Sequence, residues 1–246
     1  PRVPLSLRLG KVGVAGGISE AGRTGRLYVV ATPIGNLEDI TLRALRILGE
    51  VDAIACEDTR QTLKLLNKYG LKKRLISYFH PREGRRIPEI MGILKAGKNV
   101  ALVSDAGTPG ISDPGFPLIR EALAQDVPVV PIPGPCAIPA ALSASGSPTH
   151  RFLFAGFPPP KRAGLNKLLV SLREEEVTLV FYLPTRRIIE FLEAVLAVMG
   201  DRRVVIAREL TKIHEEFLRG SASTLRDSLA GKTLKGEATV LVDGLR

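Results

Sequence analysis

From residue 27 to residue 132 the chain alternates short apolar runs with amphipathic segments, and no other feature constrains its fold as tightly. Apolar runs at 27–32, 51–56, 75–79, 100–103 and 127–132 read as buried strands. Between them, 40–48, 59–69, 87–95 and 117–124 carry helical spacing, with Gly70 closing the second. Strands separated by single helices predict a largely parallel sheet with helices on its faces. Further on, 152–157, 177–182, 204–207, 216–218 and 239–242 read as strands, with helices at 188–198 and 225–229. Strands that follow one another without a long helix predict antiparallel pairing, so a mixed sheet is expected there. Ser-Ala-Ser-Gly-Ser-Pro-Thr at 143–149 has the composition of a connection. The expected organisation is a flexible tail (1–25), an α/β domain (26–142), a linker (143–149) and a second, smaller α/β domain (150–246). The length of 246 residues suits two such domains.

Charge points to a partner. The chain carries 35 Lys and Arg against 25 Asp and Glu. Residues 60–98 alone hold eleven basic residues, opposed only by Glu83 and Glu89. Such concentration suits a polyanion, above all nucleic acid, although a solvated basic face is the plainer alternative. Arg60, Lys64 and Lys68 fall at i, i+4 and i+8, one face of a helix that Leu63 and Leu66 would anchor to the sheet. Arg82, Arg85 and Arg86 extend the candidate RNA contacts. Aromatic residues make up only 5% and tryptophan is absent, so backbone contacts are expected to outweigh base stacking. No apolar run approaches the roughly 20 residues of a membrane-spanning helix. Cys56 and Cys136 cannot build a disulfide framework and read as buried thiols of a cytoplasmic protein. Residues 1–25 lack the apolar core of a secretory signal.

Several familiar signatures fail. Gly13-Val14-Ala15-Gly16-Gly17 is not a dinucleotide fingerprint and follows no convincing strand. The run from Gly92 to Lys98 begins like a P-loop, but Asn99 stands at the Ser/Thr position and a helix precedes its glycines. His80, His150 and His214 are scattered, so no metal site is expected. No G-x-S-x-G surrounds Ser104 or Ser145.

Three glycine- and proline-rich loops do follow strand ends, where open parallel sheets bind ligands. They carry Thr32-Pro33-Ile34-Gly35-Asn36-Leu37, then Ser104-Asp105-Ala106-Gly107-Thr108-Pro109 running on to Ile111-Ser112-Asp113-Pro114-Gly115, then Pro133-Gly134-Pro135-Cys136. With Glu57-Asp58-Thr59-Arg60, Phe154-Ala155-Gly156-Phe157-Pro158 and Ala207-Arg208-Glu209-Leu210-Thr211-Lys212, this ordered set resembles the ribosomal RNA small-subunit methyltransferase I family, of the tetrapyrrole-methylase superfamily. The resemblance runs from about Leu27 to Gly244. It departs at Tyr182-Leu183-Pro184-Thr185-Arg186-Arg187, where the family usually has Tyr-Glu-Ser-Pro-His-Arg: Arg187 survives but the Glu and His equivalents do not.

The resemblance implies two α/β domains of a homodimer with S-adenosylmethionine bound between them. It implies 2′-O-methylation of a cytidine in small-subunit ribosomal RNA, free or in the assembled 30S subunit. By analogy Pro33, Ser104, Asp105, Ala106, Gly107, Thr108, Ile111 and Ser112 would hold the cofactor from one side, and Tyr182 and Leu210 from the other. A ribose hydroxyl attacks poorly until its proton leaves, so a general base would help. Glu57, Asp58 and Asp105 follow strand ends on the ligand side and are the candidates. Asp105 equally fits a turn-forming aspartate, and Glu57 and Asp58 fit favourable charge at a helix N-terminus. A tetrapyrrole carbon methyltransferase and a noncatalytic RNA-binding protein remain the alternatives.

Overall fold

A computed structural model of the chain describes residues 24–80 and 83–245. Its first half winds β1 (Leu27–Val30), α1 (Leu42–Glu50), β2 (Ala53–Cys56), α2 (Thr59–Lys68), β3 (Arg74–Ser77), α3 (Glu83–Lys95), β4 (Val100–Val103), α4 (Phe116–Ala124) and β5 (Val129–Ile132). The five strands form one parallel sheet in the order β3-β2-β4-β1-β5. The central strands β2 and β4 are buried at every residue, as apolar runs covered on both faces must be. Side chains define where helices start. Thr41 Oγ1 accepts from the Ala44 N–H at 3.0 Å, and Asp58 caps α2 by accepting from the Arg60 N–H at 2.8 Å.

The chain then crosses to a second sheet through α5 (Ala137–Ser145), β6 (Phe152–Gly156), α6 (Arg162–Leu172), β7 (Thr178–Pro184), α7 (Ile188–Met199), β8 (Arg203–Arg208), β9 (Glu216–Ser221), α8 (Ala222–Leu229) and β10 (Glu237–Val242). Its order is β6-β7-β10-β8-β9. The β7, β8, β9 and β10 pairings are antiparallel, as the sequence pattern predicts. The β6–β7 pair is parallel instead, because α6 separates the two strands and supplies the crossover that parallel neighbours need. That helix buries Leu165, Leu169 and Leu172.

Three local expectations are corrected. The connection expected at 143–149 begins inside α5, whose Ile138, Ala141 and Leu142 pack against Val180, Val205 and Leu241 of the second sheet. In α2, Thr62, Leu65 and Leu66 face the core, whereas Leu63 lies off that stripe and is 45% exposed. Cys56 is buried, but Cys136 is only half-buried. Of residues 1–25, Thr24 and Gly25 are described, and the Gly25 N–H donates to the Leu94 carbonyl at 2.7 Å. No helix among the described residues is long and apolar enough to cross a membrane.

Candidate functional site

The parallel sheet sends the loops after β1, β2 and β4 out at one carboxyl edge, beside the point where strand order reverses. Register levels them. Cys56 pairs with Val103, so Glu57 and Asp58 emerge beside Ser104 and Asp105, and the Asp58 N–H donates to Asp105 Oδ1 at 2.9 Å. Thr32 and Gly107 exchange backbone hydrogen bonds of 2.8 and 3.0 Å, stapling the first loop to the second. Thr108 Oγ1 donates to the Pro135 carbonyl at 3.2 Å and ties in the third. Between this edge and β7, β8 and β10 lies a cleft of about 330 Å³, within the range of small-molecule sites.

The structure places Asp105, Ala106, Gly107, Thr108, Ile111 and Ser112 on one wall of the cleft, with Tyr182 and Leu210 on the other. Pro33 and Ser104 stand behind the wall. Pro33 is buried, and Ser104 Oγ donates to the Gly107 carbonyl at 3.2 Å while its own carbonyl accepts from Thr32 Oγ1 at 3.0 Å. They shape the loop that others present. Gly107 has φ +89, a backbone that side chains disfavour. Strain gathers here in other residues too. Of the four non-glycine residues with positive φ among those described, Ser112 and Glu209 line the cleft and Thr211 adjoins Leu210.

Glu57, Asp105 and Asp113 bring three carboxyl groups to the same wall. Burial pushes Glu57 and Asp105 above the usual carboxylate range, helped in each case by neighbouring carboxylates. Asp113 is pushed up to about 6, first by burial and then by the charge of Glu57, against the lowering effect of a hydrogen bond from Ser104. Asp58 is set apart. It does not line the cleft, and its carboxylate is held down at about 2 by hydrogen bonds from Arg60, the closest at 2.6 Å. Opposite these acids the wall is mixed: Ala207, Leu210 and the half-buried Tyr182, whose phenol burial pushes upward, stand with Glu209, Lys212 and Glu237.

Sequence reasoning did not single out Asp113, Phe157, Glu209 or Lys212, all of which line the cleft, whereas the strand after Gly236, expected on the cofactor's second side, brings Glu237, Ala238 and Thr239 to it. The four missed residues sit inside motifs of the family resemblance, but only the packing of the two sheets reveals which side chains face inward. Arg60, Lys64 and Lys68 lie exposed on α2, outside the cleft, with Arg60 engaged by Asp58. Arg85 and Arg86 are exposed on α3, where Arg86 pairs with Glu89 at 2.8 Å. Arg82 lies outside the described residues. Arg187, kept from the departing motif, donates to the carbonyls of Pro158 and Pro159 at 3.1 and 2.9 Å. No group of three His, Cys, Asp or Glu suited to a metal ion occurs among the described residues.

Residues 26–226 match the family described as Tetrapyrrole (Corrin/Porphyrin) Methylases. Ribosomal RNA small subunit methyltransferase I of Thermotoga maritima is 47% identical over 220 residues, spanning 89% of this chain and 99% of that protein. The protein of the same name from Mesorhizobium japonicum is 48% identical over 218 residues, 88% of this chain and 74% of its own. Among solved structures, uroporphyrin-III C-methyl transferase from Thermus thermophilus, complexed with S-adenyl homocysteine, shares the fold with a TM-score of 0.60. It is 20% identical, and the match covers 89% of this chain and 97% of that one.

Proposed function

We infer that this chain, which belongs to the ribosomal RNA small subunit methyltransferase I family of the tetrapyrrole methylases, transfers a methyl group from S-adenosylmethionine to small-subunit ribosomal RNA. The cofactor reading is supported by the chemistry of the cleft. Carboxyl groups on both walls, with the apolar surface of Ala207, Leu210 and Tyr182 between them, suit a ligand that joins a cationic centre to a nucleoside. Gly107, Thr108 and Ser112 would hold its amino-acid end, and Ala207, Leu210 and Tyr182 its nucleoside. Bound there, the cofactor supplies a methyl group activated on a positively charged sulfur.

We take the acceptor to be the 2′-hydroxyl of a cytidine, and Asp113 to be the group that removes its proton. The observation that carries this assignment is a half-buried carboxyl in the cleft wall whose pKa lies near 6, the range a general base needs at neutral pH. Glu57 and Asp105 would offset positive charge in the cleft, and Asp58 orients α2 without touching the reacting groups. Lys64 and Lys68 would meet RNA phosphates. We further propose that the protein works as a homodimer in the cytoplasm; Leu42 on α1 and Leu63 on α2, 62% and 45% exposed, offer apolar area to a second copy.

The test is direct. Protein, radiolabelled S-adenosylmethionine and small subunits lacking the modification are incubated, and the methyl group is mapped. A single 2′-O-methylcytidine is expected. Label on a tetrapyrrole but not on RNA would refute the reading.

A further inference from the structure

Phe157 is an aromatic side chain that the fold holds out into water. The residue is 57% exposed, yet it lines the cleft and its ring lies 5.4 Å from the Tyr182 ring, which itself meets Phe154 edge-on at 4.9 Å. Exposure of one aromatic is unremarkable in a mobile loop. Here the backbone is fixed around it. The β6–β7 register slips between Phe154 and Gly156, a bulge of the kind that re-aims side chains beside binding sites. Gly156 takes φ +69, which turns the chain toward the loop of Ser112, and a Cβ there would lie 3.8 Å from Ser112 Oγ. After Phe157 come Pro158, Pro159 and Pro160, and Arg187 clamps the first two carbonyls while Glu190 holds the guanidinium at 3.0 Å. A bulge, three prolines and a half-buried arginine clamp thus spend structure on an exposed ring.

We propose that Phe157 is a stacking platform for a base of the RNA substrate, positioned at the mouth of the cleft so that the target nucleotide's ribose reaches the carboxyl wall. The proposal rests on the RNA methyltransferase reading and goes further by assigning the base a surface. A nucleotide whose ribose reaches into a cleft gives up stacking with its neighbours, and an exposed ring replaces the lost stacking whatever the base. Charge around the platform fits the same occupant. Lys161 and Arg162 follow it within five residues and are exposed, although Arg162 pairs with Glu193 at 3.3 Å, and Arg186 is exposed next to the Arg187 that clamps Pro158 and Pro159, so cations are available for the flanking phosphates of a splayed nucleotide. The low aromatic content that argues against extensive stacking is compatible with one fixed platform.

The experiment compares Phe157→Ala, Phe157→Leu and Phe157→Trp with wild type. Methyl transfer to unmodified small subunits gives kcat and KM, calorimetry gives affinity for S-adenosylhomocysteine, and melting checks the fold. Ala and Leu should lower kcat/KM for RNA roughly ten- to a hundredfold, chiefly through KM. Trp should retain wild-type values, and cofactor-product affinity and Tm should not move in any variant. Unchanged kcat/KM in the alanine variant would overturn the platform while leaving the RNA reading intact. A parallel loss of S-adenosylhomocysteine affinity would also overturn it, since the ring would then serve the cofactor. Wild-type protein that methylates no RNA would overturn both.

Discussion

Gly35, in the loop after β1, packs directly against residues 210–212 in the loop after β8, and giving it a side chain tests whether that contact sets the width of the cleft. A Cβ at Gly35 would lie 2.5 Å from Lys212 Cγ, 2.7 Å from the Leu210 carbonyl oxygen and 2.7 Å from Thr211 Oγ1. Ordinary contact begins at 3.4 Å, so the overlap is 0.7 to 0.9 Å. The opposing loop has little room to yield. Leu210 lies between Glu209 and Thr211, at φ 50 and 65, and the Lys212 ammonium is held by Glu209 Oε1 at 2.9 Å. Forcing a methyl group into such a contact costs about 1–3 kcal/mol. If the folded state absorbs the strain, Gly35→Ala should lower Tm by about 2–12 °C, at 2–4 °C per kcal/mol for a chain of this size. If the loop retreats instead, Leu210 moves away from the cleft, and S-adenosylhomocysteine affinity should fall about five- to 150-fold. Melting and calorimetric titration together capture both routes. An alanine variant with wild-type Tm and wild-type affinity would show that the two loops do not touch in solution as they do here.

Three further outcomes follow from the same geometry. Gly107→Val places a β-branched residue at φ +89, facing Ile34 Cγ2 at 3.4 Å; calorimetry should show at least tenfold weaker S-adenosylhomocysteine binding while Tm drops only a few degrees. Asp113→Asn should abolish the limb of kcat/KM that rises through pH about 6. Because the folded-state pKa lies above the unfolded value of 3.8, wild type should gain stability as pH falls from about 6 toward 4, and the asparagine variant should melt higher than wild type at pH 7.5. Replacing Lys64 and Lys68 with glutamine should flatten the log–log salt dependence of RNA binding by about 1.4, and adding Arg60→Gln should change it little, because Asp58 already holds Arg60. Equal slopes for wild type and the double variant would make the α2 stripe a solvated surface only.

What could be read from the sequence was what depends on local pattern. The apolar runs of the first sheet, buried throughout in β2 and β4, announce themselves by composition, and Thr41 and Asp58 mark helix starts through their own side chains. The end of helix α5 was hidden because Ser143, Ala144 and Ser145 lie in a Ser- and Gly-rich run that reads as a connection, although the helix continues to Ser145. Helix α6 left a trace in the spacing of Leu165, Leu169 and Leu172, and missing it turned a parallel pair into an expected antiparallel one. The loops of the cleft were visible as motifs. Their chemistry was not, since the rise at Asp113 comes from burial under a second sheet and from a carboxylate 56 positions earlier in the chain.

The distribution of charge answers a difficulty that net charge alone conceals. A basic protein that draws in a polyanion still presents its substrate with a wall of carboxyl groups. The two do not compete, because they act over different ranges. Lys64, Lys68, Arg85, Lys161 and Arg186 are exposed and spread over the surface, where they can raise the local concentration of RNA over about a Debye length, roughly 8 Å at physiological salt. Glu57, Asp105 and Asp113 have short side chains within the cleft, where burial already disfavours full ionisation. Their field is felt mainly by what enters. A cation seated there finds compensation that water would otherwise supply, and a ribose hydroxyl finds a base, while the phosphates on either side can remain outside with the lysines and arginines. The segment bearing Phe157 lies at that boundary, with its ring on the cleft and Lys161 and Arg162 a few residues on. A single nucleotide can therefore cross from the basic surface to the acidic wall without bringing its neighbours' charges with it.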